Sequence, residues 1–429
     1  MKKSFNKRQQ YPVNTLYVGI DIAKKEHCMR MIEGKSGDES KEMFFSNRGK
    51  GFERMLKRVE EWMTRSGSEK VVVGMEPTAC YWKPLYRHLA DRGYEVKLVS
   101  SLHVKRSKEI QDNSPLKSDP KDALIIADLV RSGKYLDTRI TPENIEEVKV
   151  LLAHYENLGK DRARWLNRLE QYKAEYFPEL DEFFKDMGGV TVRALLRAYP
   201  FAEDIEAAGV KKVGELLWKT SAGQVSREKS GRLVEAASRT IGRKRGVAAM
   251  RKVVLDILDT LEWYDKQIEA VEADLKASVK RVETYRILVS IPGVGWKTAA
   301  AIIGVLGDLR QYDNYRQALK KAGLNMYSKS SGNHRGKVRI THYGRGIIRK
   351  MLYMGSLSHA ARPSMYFHEK YGEMVERGVL KMKALVAIMR KILKIAFALV
   401  RDNRKFDRNW DTRQVAEREE SVIRRAKAA

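Results

Sequence analysis

The pattern of apolar and polar positions changes character twice along the chain. In the first part, short β-branched apolar runs alternate with helical periodicity. Residues 16–22 (LYVGIDI) read as a strand, and residues 27–32 and 42–46 as the next two. A helical pattern covers 51–65. Residues 70–76 (KVVVGME) form a buried strand, 81–92 a helix and 95–99 another strand. A helix follows over 119–131, with Pro120 in its first turn, where a missing N–H does no harm.

Three strands, then helix, strand, helix, strand and helix, is the order of an RNase H-like α/β domain, expected here over residues 1–140. The middle, 141–284, is helical. Thr141 and Pro142 mark a helix start. A stripe of Ile145, Val148, Leu152, Tyr155 and Leu158 follows, continued by Trp165, Leu169, Tyr172 and Tyr176. A second helix carries Met250, Val254, Ile257, Leu261, Tyr264, Ile268, Val271 and Leu275, a heptad seam with alternating steps of four and three. Two pairings fit that seam: antiparallel helices within one chain, or a dimerising coiled coil. Between them, 188–246 reads as a small polar helical insertion with no legible function. From 285 to 410 a Gly-rich turn, a basic Gly-rich stretch and a long apolar helix form a further helical domain, and 411–429 is a charged tail.

Composition narrows the partners. Lys and Arg number 83 against 55 Asp and Glu, a net charge of +28 in 429 residues, which calls for a polyanion, nucleic acid first. An apolar content of 43% excludes wholesale disorder. Cys28 and Cys80 cannot make a disulfide scaffold and lack metal-site spacing, which fits a reducing cytosol and a cytoplasmic, nucleoid-associated protein. The basic start is not followed by an apolar segment, so no signal peptide is expected. The apolar run 384–400 is interrupted by Arg390, Lys391 and Lys394, so it reads as a buried amphipathic helix and not a membrane span.

Four acids stand where acids are costly. Asp21 lies in an apolar strand, Glu76 ends another, and Asp119 and Asp122 share the first turn of a helix. As a set on an RNase H-like order they suit Mg²⁺, which prefers carboxylates, water and phosphate oxygens and supports in-line phosphoryl displacement. Singly, Asp119 is equally a helix cap, Asp122 a first-turn acid facing the dipole, and Glu76 a strand-end residue.

Residues 291–295 (IPGVG) with Lys297 resemble a helix-hairpin-helix turn. There Gly293 and Gly295 admit a phosphate to the N-terminus of the next helix; the alternative is an ordinary glycine turn between packed helices. Ser330 and Ser331 then open a stretch holding Lys329, His334, Arg335, Lys337, Arg339, Arg345 and Arg349, a surface for phosphates. A serine in that field is a candidate nucleophile on DNA, whose ester conserves the energy of the broken phosphodiester. Taken from the residues alone, hydrogen bonding to a turn or a phosphate explains these serines as well.

Asp21 in YVGIDIAK, Glu76 in GMEPTACYW, and Asp119 and Asp122 in KSDPKDA resemble the Asp-Glu-Asp-Asp domain of the insertion-sequence "one-ten" family. These are the bridge-RNA-guided serine recombinases, with Piv-like invertases related. SIPGVGWKTAAAIIGVLGD, GLNMYSKSSGN, ITHYGRGIIRKMLY and KALVAIMRKILKIAFALV match the family's second half in order. The resemblance implies a RuvC-like domain joined by a coiled coil to a small serine transposase domain, the nucleophile being the serine before a glycine, Ser331, with Ser330 its neighbour. It further implies target and donor duplex DNA, a structured element-encoded guide RNA and a tetramer, a dimer of dimers. Pro77, Asn333 and THYGRG depart from the family's usual blocks. The expected function is therefore a transposase-recombinase acting through a phosphoserine intermediate, with the four acids holding Mg²⁺. The alternatives are a metal-dependent junction-resolving nuclease that uses water and a non-catalytic scaffold.

Overall fold

A computed structural model describes residues 11–111, 119–135, 141–328 and 338–409. The chain divides into two compact units, Met1–Ile140 and Thr141–Ala429. In the first, the strands are β1 (Thr15–Asp21), β2 (Glu26–Glu33), β3 (Met43–Ser46), then α1 (Gly49–Ser66), β4 (Lys70–Met75), α2 (Trp82–Ala90), β5 (Glu95–Leu98), α3 (Ser101–Gln111) and α4 (Asp119–Arg131). The sheet order is β3-β2-β1-β4-β5, with β1 antiparallel to β2 and parallel to β4. This mixed α/β arrangement is consistent with an RNase H-like fold.

Side chains alternate strictly across the sheet. Leu16, Val18 and Ile20 of β1, with Val71, Val73 and Met75 of β4, join a core with Phe52, Met55 and Leu85 from α1 and α2. The opposite row, led by Tyr17 and Val72, packs against Ile125, Ile126, Leu129 and Val130 of α4. The anticipated strands and helices appear within a residue or two of their expected ends. Helix α3 was not anticipated: of its described side chains only Val104 is buried, so it has no apolar stripe to read.

The second unit begins with α5 (Glu143–Tyr176), continues through α6 (Leu180–Phe183), α7 (Val190–Ala198), α8 (Ala202–Thr220) and α9 (Arg227–Ser238), and returns in α10 (Val247–Lys280). Helices α5 and α10 run antiparallel: Leu169 and Tyr172 share a core with Val254, Ile257 and Leu261, whereas Val148 and Leu152 share another with Leu275 and Val279. Arg162 pairs with Asp265 at 2.5 Å, and Arg281 with Glu147. The two ends of the heptad seam thus pack on α5 of the same chain, while Tyr264 and Ile268 between them are only half-buried. The first of these cores also gathers the insertion, through Leu195, Ile205, Leu217 and Leu233.

The remainder comprises α11 (Tyr285–Leu288), α12 (Trp296–Leu306), a 3₁₀ turn at Leu309–Gln311, α13 (Tyr315–Lys321), a two-residue hairpin of β6 (Met326–Tyr327) and β7 (Arg339–Ile340), α14 (Gly346–Ala361), α15 (His368–Glu376) and α16 (Lys381–Arg401). Helix α16 buries Ile388, Ile392, Leu393, Ala396 and Phe397 while Lys394 is exposed and Arg390 and Lys391 are half-buried at the edge of the apolar face, the amphipathic core helix expected of 384–400. Among the described residues, no helix is long and apolar enough to cross a membrane.

Candidate active site

Asp21 is the last residue of β1, and Glu76 directly follows β4. The register pairs Gly19 with Gly74 and Ile20 with Met75, so the next step sets Asp21 level with Glu76 on adjacent parallel strands. By alternation, both continue the rows that begin at Tyr17 and Val72, the rows facing α4.

Two glycines set how closely α4 lies on that face. A Cβ on Gly19 would stand 2.0 Å from the Ala123 carbonyl oxygen and 2.4 Å from the Ala127 amide nitrogen; one on Gly74 would stand 2.5 Å from Val130 Cγ2. Neither glycine has an unusual φ, so each is required by the close approach and not by backbone conformation. Ala123, near the start of α4, stands over Gly19, while Arg131, at the end of α4, lies near Tyr17, two residues earlier in β1, so the N-terminal turn of α4 lies toward the strand end that carries Asp21, level with Glu76. That turn carries Asp122, which is 5% exposed. Sequence reading had found the acids but not this pair of glycines. The signal was present: each glycine lies two residues before its acid, in GID and GME.

Asp122 forms an ion pair with Lys108 of α3. Its buried Oδ1 makes no hydrogen bond of sound geometry among the described residues. Asp119 begins α4, but its side chain lies outside the described residues, as do Lys329, Ser330, Ser331, Arg335 and Lys337. Among the described residues, no three His, Cys, Asp or Glu side chains are grouped closely enough to hold a metal. Asp21, Glu76 and Asp122 all offer carboxylate oxygens, the donor chemistry a divalent cation takes, but the described side chains are not drawn together into one metal-holding group.

In the second unit, Gly293 has φ +79° and its backbone packs on α14, where an added Cβ would meet His359 Nε2 at 2.7 Å and the Gly355 carbonyl at 3.0 Å. His359 is fully buried and holds the turn from both nitrogens: Nε2 lies 3.0 Å from the Pro292 carbonyl, and Nδ1 accepts from the Phe367 amide at 3.2 Å. These partners define a neutral Nε2–H imidazole, and burial pushes its pKa down, against the Pro292 hydrogen bond. Gly295 is exposed and caps α12, beside an open groove of about 480 Å³ bordered by Met354, Ser358 and Arg362. His359 was missed by sequence reading, because its partners lie 67 residues upstream and 8 residues downstream.

Several cations expected to meet phosphates are engaged internally. Lys297 pairs with Glu272 and lies over the Tyr155 and Trp296 rings. Arg345 donates to Glu156 at 2.6 Å, and Arg349 to the Ala322 carbonyl at 3.2 Å. Burial alone would raise the Glu156 carboxyl, but the hydrogen bonds from Arg345 and Lys160 more than offset it and hold the group below its ordinary value. Arg339, at β7, is exposed.

Two family models match the chain. A transposase model of the DEDD type of IS110 covers residues 18–178, a span containing all four acids. A second, described as transposase IS116/IS110/IS902 family, covers 285–372. An insertion element IS116 protein of 44.8 kDa from Streptomyces clavuligerus is 25% identical over 91% of this chain and 96% of its own length. The transposase for insertion sequence element IS1111A of Coxiella burnetii is 25% identical over 92% of each chain. A pilin gene-inverting protein of Moraxella lacunata is 30% identical over 28% of this chain and 38% of its own.

Proposed function

We propose that this chain, a DNA transposase/recombinase with transposase domains of the IS110/IS116 family, cuts and rejoins the DNA of a mobile element through a phosphoserine ester on Ser331. The observation that carries the reading is the convergence of Asp21, Glu76 and the Asp122 turn of α4 at one end of one sheet. Asp21, Glu76, Asp119 and Asp122 would hold Mg²⁺, which stabilises negative charge on a phosphoryl group in flight. The chain's own residues do the rest. The glycines at 19 and 74 bring α4 to the strand ends, Lys108 neutralises Asp122 in the absence of other charge, and His359 holds the glycine turn against α14.

The Ser331 hydroxyl oxygen bonds to a DNA phosphorus as the bond from that phosphorus to the 3′ or 5′ oxygen breaks, and the serine proton passes through water to the departing oxygen, which leaves as a free hydroxyl. The ester keeps one phosphodiester's worth of energy, so the reverse attack by a DNA hydroxyl rejoins strands without ATP. The pilin gene-inverting relatives act, by their name, on a gene inversion, which agrees with cutting and rejoining. Work by a tetramer on target and donor duplexes, directed by an element-encoded structured RNA in the cytoplasm, completes the reading.

The test is covalent capture. Wild-type protein stopped with denaturant during reaction carries DNA on Ser331, mapped by mass spectrometry, and Ser331→Ala binds DNA without cutting it. An adduct on Ser330 moves the nucleophile by one residue. Cleavage by Ser331→Ala with no adduct on either serine refutes the ester and leaves the metal-dependent nuclease.

A further inference from the structure

The helical segment between the two family-matched spans contains a loop, RTIGRKRG at 239–246, that joins α9 to α10. Four of its eight residues are cations and none is acidic. At its tip Ile241 is 87% exposed, the most exposed large apolar side chain among the described residues.

Single exposed apolar residues are common on proteins and by themselves signify nothing. This one is fastened in place. Glu179 accepts from the Thr240 hydroxyl at 2.7 Å and from the Ile241 amide at 3.0 Å. The Arg243 amide donates to the Glu175 carbonyl at 2.9 Å, and the Arg243 guanidinium pairs with the Glu175 carboxylate. Gly242 lies so close to the end of α5 that a Cβ there would meet the Tyr176 carbonyl oxygen at 2.0 Å. The main chain is held on both sides of Ile241, while its side chain stands largely in solvent. Lys244 and Arg245 stand exposed beside it, and Arg239 makes only a surface pair with Glu235.

We propose that this loop is a second DNA contact, in which Ile241 wedges at a base step of the duplex minor groove and Lys244 and Arg245 meet the flanking phosphates. A β-branched apolar tip on a rigid mount suits insertion, because little side-chain freedom is lost and the backbone cannot recoil. Cations on the C-terminal side and Arg239 on the other match the two phosphate strands that border the groove. Duplex RNA fits less well: its minor groove is wide and shallow and gives a wedge no walls. The contact uses none of the four acids and no residue of the glycine turn. The inference rests on the enzyme's acting on DNA and not on the serine or metal reading.

Full-length protein is titrated with a mixed-sequence DNA duplex labelled at both ends for energy transfer, over a range of salt. Lys244→Gln with Arg245→Gln should lower the slope of log K against log salt by roughly 1.8, two phosphate contacts' worth. The equally charge-reducing pair Lys211→Gln with Lys212→Gln, on exposed positions of α8, should leave it unchanged. Ile241→Ala should keep the slope but weaken binding roughly tenfold and abolish the end-to-end shortening of the bent duplex. All these positions are exposed, so unchanged melting curves are expected and checked. Binding is read without cleavage, so failure here leaves the Ser331 adduct untouched, and failure of the adduct leaves this contact untouched. Wild-type slope, affinity and bending in the loop variants overturn the proposal. So does an equal slope change in the Lys211 and Lys212 control, or an effect confined to an RNA hairpin.

Discussion

The same substitution, glycine to alanine, should have opposite consequences at two places in this transposase. At Gly19, an added methyl meets backbone on α4, at 2.0 Å from the Ala123 oxygen, and ordinary contact begins at 3.4 Å. Helix α4 must retreat by about 1.4 Å, because peptide groups in a close-packed layer cannot rotate aside as a side chain does. Overpacking of this kind costs about 1–3 kcal/mol of stability. Asp122, next to Ala123, moves with the helix, and a displacement of about 1 Å at a catalytic group lowers turnover by roughly a hundredfold. Gly74→Ala meets a Val130 methyl first, which can turn, so its loss should be smaller. At Gly159, inside α5, no atom stands within 4 Å and φ is not positive, so alanine should stabilise by about 0.4–1 kcal/mol and leave cleavage unchanged. Divalent-metal-dependent strand cleavage on labelled duplex, alongside DNA-binding affinity and thermal melting, distinguishes the three variants. Wild-type cleavage by Gly19→Ala, or equal losses at Gly19 and Gly159, would refute the claim that glycine spacing places the acid turn.

Asp122→Ala should abolish strand cleavage while DNA binding survives, and wild-type cleavage rates in that variant would remove the acid from the mechanism. Lys108→Met removes the cation that pairs with Asp122; calorimetric titration with Mg²⁺ should show affinity raised by roughly 30-fold or more, since a unit charge about 4 Å from a divalent ion is worth about 2 kcal/mol even in bulk water. His359 is kept neutral in the folded chain by burial, with a pKa below that of the unfolded chain. Its contribution is therefore full above the unfolded value near 6.5 and declines as pH falls from there toward the folded value. Denaturant midpoints should drop over that range in wild type and drop less in His359→Gln.

Much of this protein is legible from local pattern. The two-residue alternation in LYVGIDI and KVVVGME marks strands and the faces of their residues, and the heptad steps of 250–275 mark one long helix, because each signal lies within a single element. The acids at 21, 76, 119 and 122 stand out for the same local reason, being charges in apolar settings. What the pattern lacks is any record of which element lies on which. The pairing of α10 with α5 inside one chain, the Lys108 ion pair across two helices, and the His359 grip on a turn 67 residues away follow from packing between distant segments. So does the spacing of α4 from the sheet, where two missing methyl groups matter only because Ala123 and Val130 arrive opposite them. Ile241 makes the same point from the surface: in sequence it is one more apolar residue in a basic loop. Only the Glu179 and Glu175 tethers, contributed by the distant end of α5 and the residues after it, hold it out into solvent.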